Sequence, residues 1–353
     1  MAVAVTMLLP LSSAAQATET QPAPVLTQAL LEQLENLKFS GYVQARYVHI
    51  QEKPTNGFTV RRSRLKAIFK NDWSRYMLQI DASPSGVELR DAEATLIEPW
   101  TGKDLEFTVG QMKWPFGYEV FVSSAERELP ERSRVVRAFA PNDRDRGAKF
   151  MVRHGPFQLV TGVFNGNGID AERDNDSSKD VVGRLGVDLK WISGGVSGWW
   201  GESLQPFTGS EGGYAPRNRL GLDLQLTLEA LPLGKTQLRG EFIAGRTYFR
   251  GGEEQFGVPA LGWYAVLSQH LPLNTQLAVR YDYFDGAAGT PDSATAGKPA
   301  VTNGIGTLGV AVAHHFNKHL KLTGAYELPM TNLVPGATDP ADNVLTFQLQ
   351  AKF

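Results

Sequence analysis

The chain has 353 residues, 42% hydrophobic, 20% charged and 10% aromatic, which is too apolar for a disordered chain and enough for one large or two ordinary domains. Thirty-five Lys and Arg against 37 Asp and Glu leave a net charge of −2, so no chain-wide field points to nucleic acid or to an anionic membrane surface, and any electrostatic function is local. Cysteine is absent, which excludes disulfides, thiolate metal sites and cysteine nucleophiles, while 36 glycines with 18 Phe, 10 Tyr and 7 Trp favour β-structure.

The stretch 1–15 carries no charge and is too short to span a bilayer as a helix. Followed by the small-x-small sequence Ala15-Gln16-Ala17, it predicts a cleaved export signal over 1–17, although no basic residues precede the apolar run. In 18–37, Val25, Leu26, Ala29, Leu30, Leu34 and Leu37 have helical spacing and predict a short helical, periplasmic segment at the rim of whatever follows.

After Lys38 the hydrophobic period becomes two and stays so. Residues 181–191 place Val181, Leu185, Val187 and Leu189 on one face against Arg184, Asp188 and Lys190 on the other, and residues 219–230 set five alternate leucines against Arg219, Asp223, Gln225 and Glu229. A soluble sandwich can show the same alternation, so number and length decide. Period-two segments bounded by turn residues predict strands near 38–49, 59–71, 74–82, 87–97, 104–111, 146–154, 157–165, 180–191, 195–203, 216–230, 235–248, 259–270, 273–284, 303–316, 318–328 and 342–353. Most are long enough to cross a bilayer at a tilt. Tight connections such as Gly155-Pro156 and Asn317-Lys318 alternate with long polar ones such as 166–179, 202–215, 250–258 and 286–302, the pattern of an outer-membrane barrel. Aromatics near strand ends, including Trp73, Trp100, Trp191, Tyr248, Phe249, Tyr283, Phe284 and Phe316, predict interfacial girdles. The chain closes on an alternating strand ending in Phe353, an end similar to that of outer-membrane barrels.

One connection breaks the pattern. From 113 to 146 no clean strand is visible, and the segment is dense in charge; a structureless loop of that length within a compact domain is uncommon and is usually functional. Phe121, Val122, Val135, Val136, Phe139 and Ala140 are apolar enough to pack on a wall, so the segment predicts an inward-folded third loop that narrows a wide lumen. Upstream, Arg62, Arg64 and Lys66 share one face of a strand, spaced about 7 Å apart by two residues of strand rise. Such a cationic ladder suits anions, since guanidinium forks bind phosphate and carboxylate bidentately. Asp81, Asp91 and Glu93 share the inward parity of nearby strands and offset part of that charge.

The run Phe107-Thr-Val-Gly110-Gln111-Met-Lys113-Trp-Pro115-Phe116-Gly117, with Phe39-Ser-Gly41-Tyr42, Arg61-Arg62-Ser63-Arg64, Leu89-Arg90-Asp91-Ala92 and Ala138-Phe-Ala-Pro141-Asn-Asp-Arg144-Asp145-Arg-Gly147, resembles the phosphate-selective porin O and P family. The resemblance spans essentially the whole mature chain and is strongest over 39–147. It implies a sixteen-stranded, trimeric barrel whose inward third loop and arginine-lined funnel admit phosphate or polyphosphate. By position, Arg62, Arg64, Lys66, Lys113, Arg127, Arg132, Arg134, Arg137, Arg144 and Arg146 would line that path, with Asp91 and Glu93 as acidic lining, while Glu126, Glu128, Glu131 and Asp145 dilute the positive loop.

Other signals carry less. Gly304-x-Gly306-x-x-Gly309 lacks the strand–turn–helix setting of a dinucleotide fingerprint, and Asp174, Asp176, Ser178 and Asp180 lack the glycine and glutamate of a calcium loop. The six histidines show no metalloprotease spacing. The expectation is therefore an all-β transmembrane antiparallel barrel of about 16 strands over 38–353, with 113–146 as its constriction. With the resemblance, it predicts a bacterial outer-membrane porin passing small anionic solutes by passive diffusion, embedded in outer-membrane lipid as the homotrimer the resemblance implies, with no cofactor, metal, enzyme activity or nucleic-acid partner expected. A weakly selective general porin and, further off, a barrel hydrolase are the competing readings.

Overall fold

The computed structural model describes residues 34–54, 56–141, 143–169, 174, 176–205, 213–229, 234–250, 253–286, 288, 304–331 and 342–353. The expected signal over 1–17, most of the expected helical segment 18–37, and much of the expected loops 286–302 and 331–341 lie outside these residues.

The strands in chain order are β1 (Leu37–Ile50), β2 (Gly57–Lys70), β3 (Ser74–Ser83), β4 (Gly86–Ile97), β5 (Leu105–Lys113), β6 (Arg144–His154), β7 (Phe157–Phe164), β8 (Asp180–Asp188) and β9 (Ile192–Trp200). They continue with β10 (Glu202–Leu204), β11 (Tyr214–Pro216), β12 (Arg219–Leu228), β13 (Thr236–Arg250), β14 (Glu253–Leu271), β15 (Thr275–Asp285), β16 (Gly304–His315), β17 (Leu320–Thr331) and β18 (Val344–Lys352). Sixteen of them form a closed antiparallel barrel in which each strand pairs with its neighbours in sequence and β1 pairs with β18; β10 and β11 form a separate two-stranded ribbon. Closure leaves no free sheet edge, so the backbone groups of all sixteen strands are satisfied within the wall.

Period two explains both faces. Outward, β12 exposes Leu220, Leu222 and Leu224, β15 exposes Leu277 and Val279, and β16 exposes Val310 and Val312. Inward from the same strands, Asp223, Arg280 and Asp282 are buried. An apolar outside and an ionised inside invert a soluble protein, and only a hydrocarbon surround makes that arrangement favourable. Trp73 and Trp100 stack edge-on, 5.8 Å between centroids, at the short-turn end, as an interfacial girdle requires.

The predicted strands recur with ends shifted by a few residues, and three local expectations are corrected. The barrel strand predicted over 195–203 ends at Trp200, and 202–204 pairs with 214–216 in the extra ribbon. The predicted loop 250–258 is mostly strand: beyond a bulge between Arg246 and Tyr248, the pairs Tyr248/Gln255, Phe249/Glu254 and Arg250/Glu253 extend the β13–β14 hairpin, and its exposed charges disguised it as loop. Tyr248 and Phe284 are not girdle residues. Both are buried inside the barrel, ring against ring at 5.3 Å, with Phe139 at 6.0 Å from Phe284.

The segment between β5 and β6 is not structureless. It contains one short helix, α1 (Arg134–Phe139), with Val135, Val136, Ala138 and Phe139 buried and Arg137 in its last turn, where a cation complements the helix dipole. These side chains join Trp114, Phe116, Ile243 and Tyr264 in the largest buried apolar cluster of the described residues. Glycines on the wall make room: a Cβ on Gly262 would stand 2.8 Å from Val135 Cγ2, and one on Gly309 would stand 2.5 Å from Leu129 Cδ2.

Candidate functional site

The site is built where the β5–β6 segment meets the inward side chains of β1, β2 and β4. Two β-bulges shape it. In β2 the register passes from Gln44/Arg62 to Ala45/Val60, so Arg61 is the extra residue; in β4 it passes from Gln79/Asp91 to Ile80/Leu89, so Arg90 is the extra residue. A bulge breaks the strict alternation of faces, so consecutive side chains can turn the same way. Arg61 and Arg62 thus both reach Glu131, and Arg90 and Asp91 both reach the Asp143/Arg144 pair. Parity counting selects Arg62 and Asp91 and misses Arg61 and Arg90; the only sequence signal for either was its place in a resemblance motif.

Glu131 is the centre of the first cluster. Arg46 Nη1 donates to Oε1 at 2.8 Å, Arg61 donates from Nε to Oε1 at 2.6 Å and from Nη2 to Oε2 at 3.2 Å, and Arg62 Nη2 lies 3.6 Å from Oε2. Burial pushes this carboxyl up, but the Arg61 hydrogen bond and the charges of Arg61, Arg62 and Arg46 outweigh it and hold it well below the usual carboxylate range. Arg127 stands nearby; its carbonyl accepts from Lys321, while its guanidinium forms no hydrogen bond or ion pair among the described residues. Burial first, then the charges of Arg132 and Arg62, lowers its proton affinity against the opposing charges of Glu119 and Glu131.

Asp143 is the centre of the second. It accepts from Arg132 at 2.5 Å, Arg90 at 2.8 Å and Arg144 at 2.6 Å. Arg144 also forms a two-bonded fork with Asp91, at 2.8 and 2.9 Å. This cluster is closed: the side chains of Arg144, Asp91 and Asp143 are 2%, 4% and 5% exposed. Burial pushes the Asp143 carboxyl up, and the surrounding arginines and Lys113 bring it below the usual range.

The other predicted residues divide by partner. Arg64 pairs with Asp81 at 2.8 Å and reaches Ser124 Oγ at 3.3 Å. Lys66 is half-buried one step further along β2, and its ammonium forms no hydrogen bond or ion pair among the described residues. Lys113 donates to the carbonyls of Val120 and Phe121, at 2.8 and 3.2 Å, and Arg132 also donates to that of Val120, so both hold the segment's own fold. Arg134 donates to Thr307 Oγ at 3.2 Å, Arg146 to the Ile169 carbonyl at 3.2 Å, and Arg137 is exposed. Glu93 lies 4.0 Å from Lys149. Asp180, weighed above as a calcium-loop position, accepts instead from Trp199 Nε1 and from Arg217.

Further wall contacts fix the segment. Glu241 of β13 accepts from the backbone N–H of Tyr118 and Glu119 and from the Tyr264 hydroxyl, at 3.3, 3.1 and 3.2 Å. Arg280 of β15 donates to the carbonyl of Glu131 at 2.8 Å, and Lys321 of β17 to that of Ala125 at 2.8 Å. Arg239 pairs with Glu128, and Gln44 donates to the Ser124 carbonyl at 3.0 Å.

Comparison with known families matches residues 36–198 to the family described as phosphate-selective porin O and P. No curated protein sequence matches. Among solved structures, the chain is similar to an anion-selective porin from Comamonas acidovorans (13% identity, TM-score 0.64, covering 90% of this chain and 99% of that one). It is similar also to OprB of Pseudomonas putida (10%, 0.63, 93% and 96%) and to the trimer form of OmpT, an outer membrane protein of Vibrio cholerae (11%, 0.62, 90% and 99%). At these identities the likeness is one of fold. A closed sixteen-stranded barrel, apolar outside and ionised within, whose residues 36–198 match the model of the family described as phosphate-selective porin O and P, is a porin of the bacterial outer membrane.

Proposed function

We propose that this porin is a passive, anion-preferring channel whose β5–β6 segment, folded into the lumen, sets the narrowest point, and whose selective element is the cluster around Glu131. The observation that carries this reading is a charge imbalance. Three guanidiniums, Arg46, Arg61 and Arg62, converge on the one Glu131 carboxylate, and Arg127 beside them, acted on by the charges of Glu119 and Glu131, forms no ion pair among the described residues. Lys66 and Arg137 add positive charge without a bonded acid among the described residues, whereas Arg64, Arg90, Arg132 and Arg144 are neutralised by Asp81, Asp143 and Asp91. An anion entering this low-dielectric wall meets donors already in place and needs little reorganisation, and several weak sites in series let it leave again. Oxyanions such as phosphate fit the guanidinium forks better than chloride does, because they accept two parallel hydrogen bonds. The match to a family described as phosphate-selective and the similarity to an anion-selective porin support the same solute class, and the trimer form of the Vibrio protein supports a homotrimer.

The test is the reversal potential of the purified protein in a planar bilayer under a potassium chloride gradient, followed by titration with inorganic phosphate. Anion-selective current blocked by phosphate, and weakened at least ten-fold in that block by Arg61→Ala with Arg62→Ala, is expected. Unselective or cation-selective current unaffected by phosphate would leave a general porin.

A further inference from the structure

We propose that Glu131 is a tethered competitor: its carboxylate occupies the guanidinium fork that a permeating oxyanion needs, and so sets how tightly, and for how long, that anion is held. The inference rests on the anion-channel reading above and concerns the residue that tunes it.

Three features of the geometry point this way. Arg61 meets Glu131 through two hydrogen bonds, Nε to one oxygen and Nη2 to the other, the geometry a guanidinium uses for a phosphate or a free carboxylate. An incoming oxyanion and Glu131 therefore want the same donors. Second, the carboxylate is within reach. Its side chain is 20% exposed, against 5% for Asp143, which is gripped by three arginines of its own. The two clusters differ in make-up and in access: the Asp143 cluster contains a second buried carboxylate, Asp91, and is a closed strut, while the Glu131 cluster has one bonded carboxylate and is more exposed. Third, the backbone at Glu131 is held independently of its carboxylate, through the Arg280 bond to its carbonyl and through Leu129 seated at Gly309. The side chain can release the arginines while the chain stays in place.

Exchange then follows. An oxyanion attracted to Arg127, whose guanidinium has no bonded partner among the described residues, displaces the Glu131 carboxylate from Arg61 and Arg62. When the carboxylate returns, the anion is expelled. No bond is made or broken. A wall of arginines alone would hold a multivalent oxyanion too long to conduct, and a built-in anion shortens that residence.

The experiment compares wild-type protein with Glu131→Gln and Glu131→Asp in planar bilayers, reading the inorganic phosphate concentration that halves the chloride current. Glu131→Gln removes the competing charge at nearly constant shape. The half-blocking concentration is expected to fall at least ten-fold, with the anion-to-cation permeability ratio rising and chloride conductance saturating at lower salt. A purely structural role would change open-channel conductance and leave phosphate affinity where it was. If the wild type is anion-selective and blocked by phosphate, yet Glu131→Gln blocks within two-fold of it, the competitor idea is overturned while the channel reading stands; a wild type without anion preference overturns both. Should Glu131→Gln instead show the enlarged, noisy conductance of a displaced loop, Glu131→Asp decides. It keeps the charge on a shorter stem and weakens the grip, so its half-blocking concentration must fall below that of the wild type, and an unchanged or higher value rejects the proposal.

Discussion

Arg61 Nε lies 2.6 Å from Glu131 Oε1, although Arg61 adjoins Arg62, which also reaches the same carboxylate. In a regular strand those two side chains would point to opposite faces, and one of them would lie in lipid. The bulge opposite the Gln44/Ala45 step removes that conflict and doubles the charge delivered at one height of the wall. Arg90 is placed by the same device two strands away. Both bulges therefore act as devices for aiming arginine inward.

The Glu131 clamp predicts an acid-resistant channel. A carboxyl held below its usual range contributes its anchoring energy above that range and loses it only as the pH falls through the lowered value. From pH 7 to about pH 4, the model-peptide region for glutamate, the chloride-to-potassium permeability ratio should show no titration step that disappears in Glu131→Gln. A step near pH 5 removed by that substitution would contradict the clamp.

Breaking the closed cluster should cost stability rather than selectivity. Arg144→Met leaves Asp91 and Asp143 buried with less compensation, a loss of about 3–5 kcal/mol for a buried pair deprived of one partner. Urea unfolding from lipid vesicles, followed by tryptophan fluorescence, would measure it. Replacing Asp91 and Arg144 together by Leu and Met should recover part of the loss.

Gly117 is a backbone requirement of the loop anchor. Its φ is +64°, and a Cβ there would stand 1.8 Å from Glu241 Oε1. Gly117→Ala should disturb the hydrogen bonds from Tyr118 and Glu119 to Glu241 and cost of the order of 1–3 kcal/mol through backbone strain alone. Single-channel recordings should show increased current noise and protease should cut the 114–143 segment faster, while the barrel itself stays resistant; quiet, wild-type traces would argue against an anchor at this point.

The outward leucines should behave as lipid-facing. Leu222, at mid-strand between Val196 and Phe242, replaced by Arg should lose about 2–4 kcal/mol near the bilayer midplane. In detergent the same substitution should cost much less, because the charge can reach water. Equal losses in both media would mean that this face is not in hydrocarbon.

Legibility followed the reach of each interaction. Strand number and facing were readable because a pleated strand turns every second side chain the same way, so Leu220 to Leu228 announced an outer wall without any knowledge of their neighbours. Loop 113–146 stood out because it lacked that period. Helix α1 stayed hidden: six residues are too few for a periodic signal, and it is held by packing against β13 to β15 rather than by its own propensity. The β13–β14 extension reads as loop because exposed charge at Arg250 and Glu253 looks the same in a loop and in a strand beyond the bilayer.

Among the basic residues, the chain by itself determined how many there are and, in regular strands, on which face. Which of them keep their charge for a solute is a tertiary decision. Arg144 and Arg127 are equivalent as letters, yet Arg144 closes on two carboxylates while Arg127 forms no ion pair among the described residues. A charge is neutralised by partners brought together from distant strands, and a one-residue bulge resets which side chains those partners are; both are set by register across the barrel, which only closure of the sheet fixes.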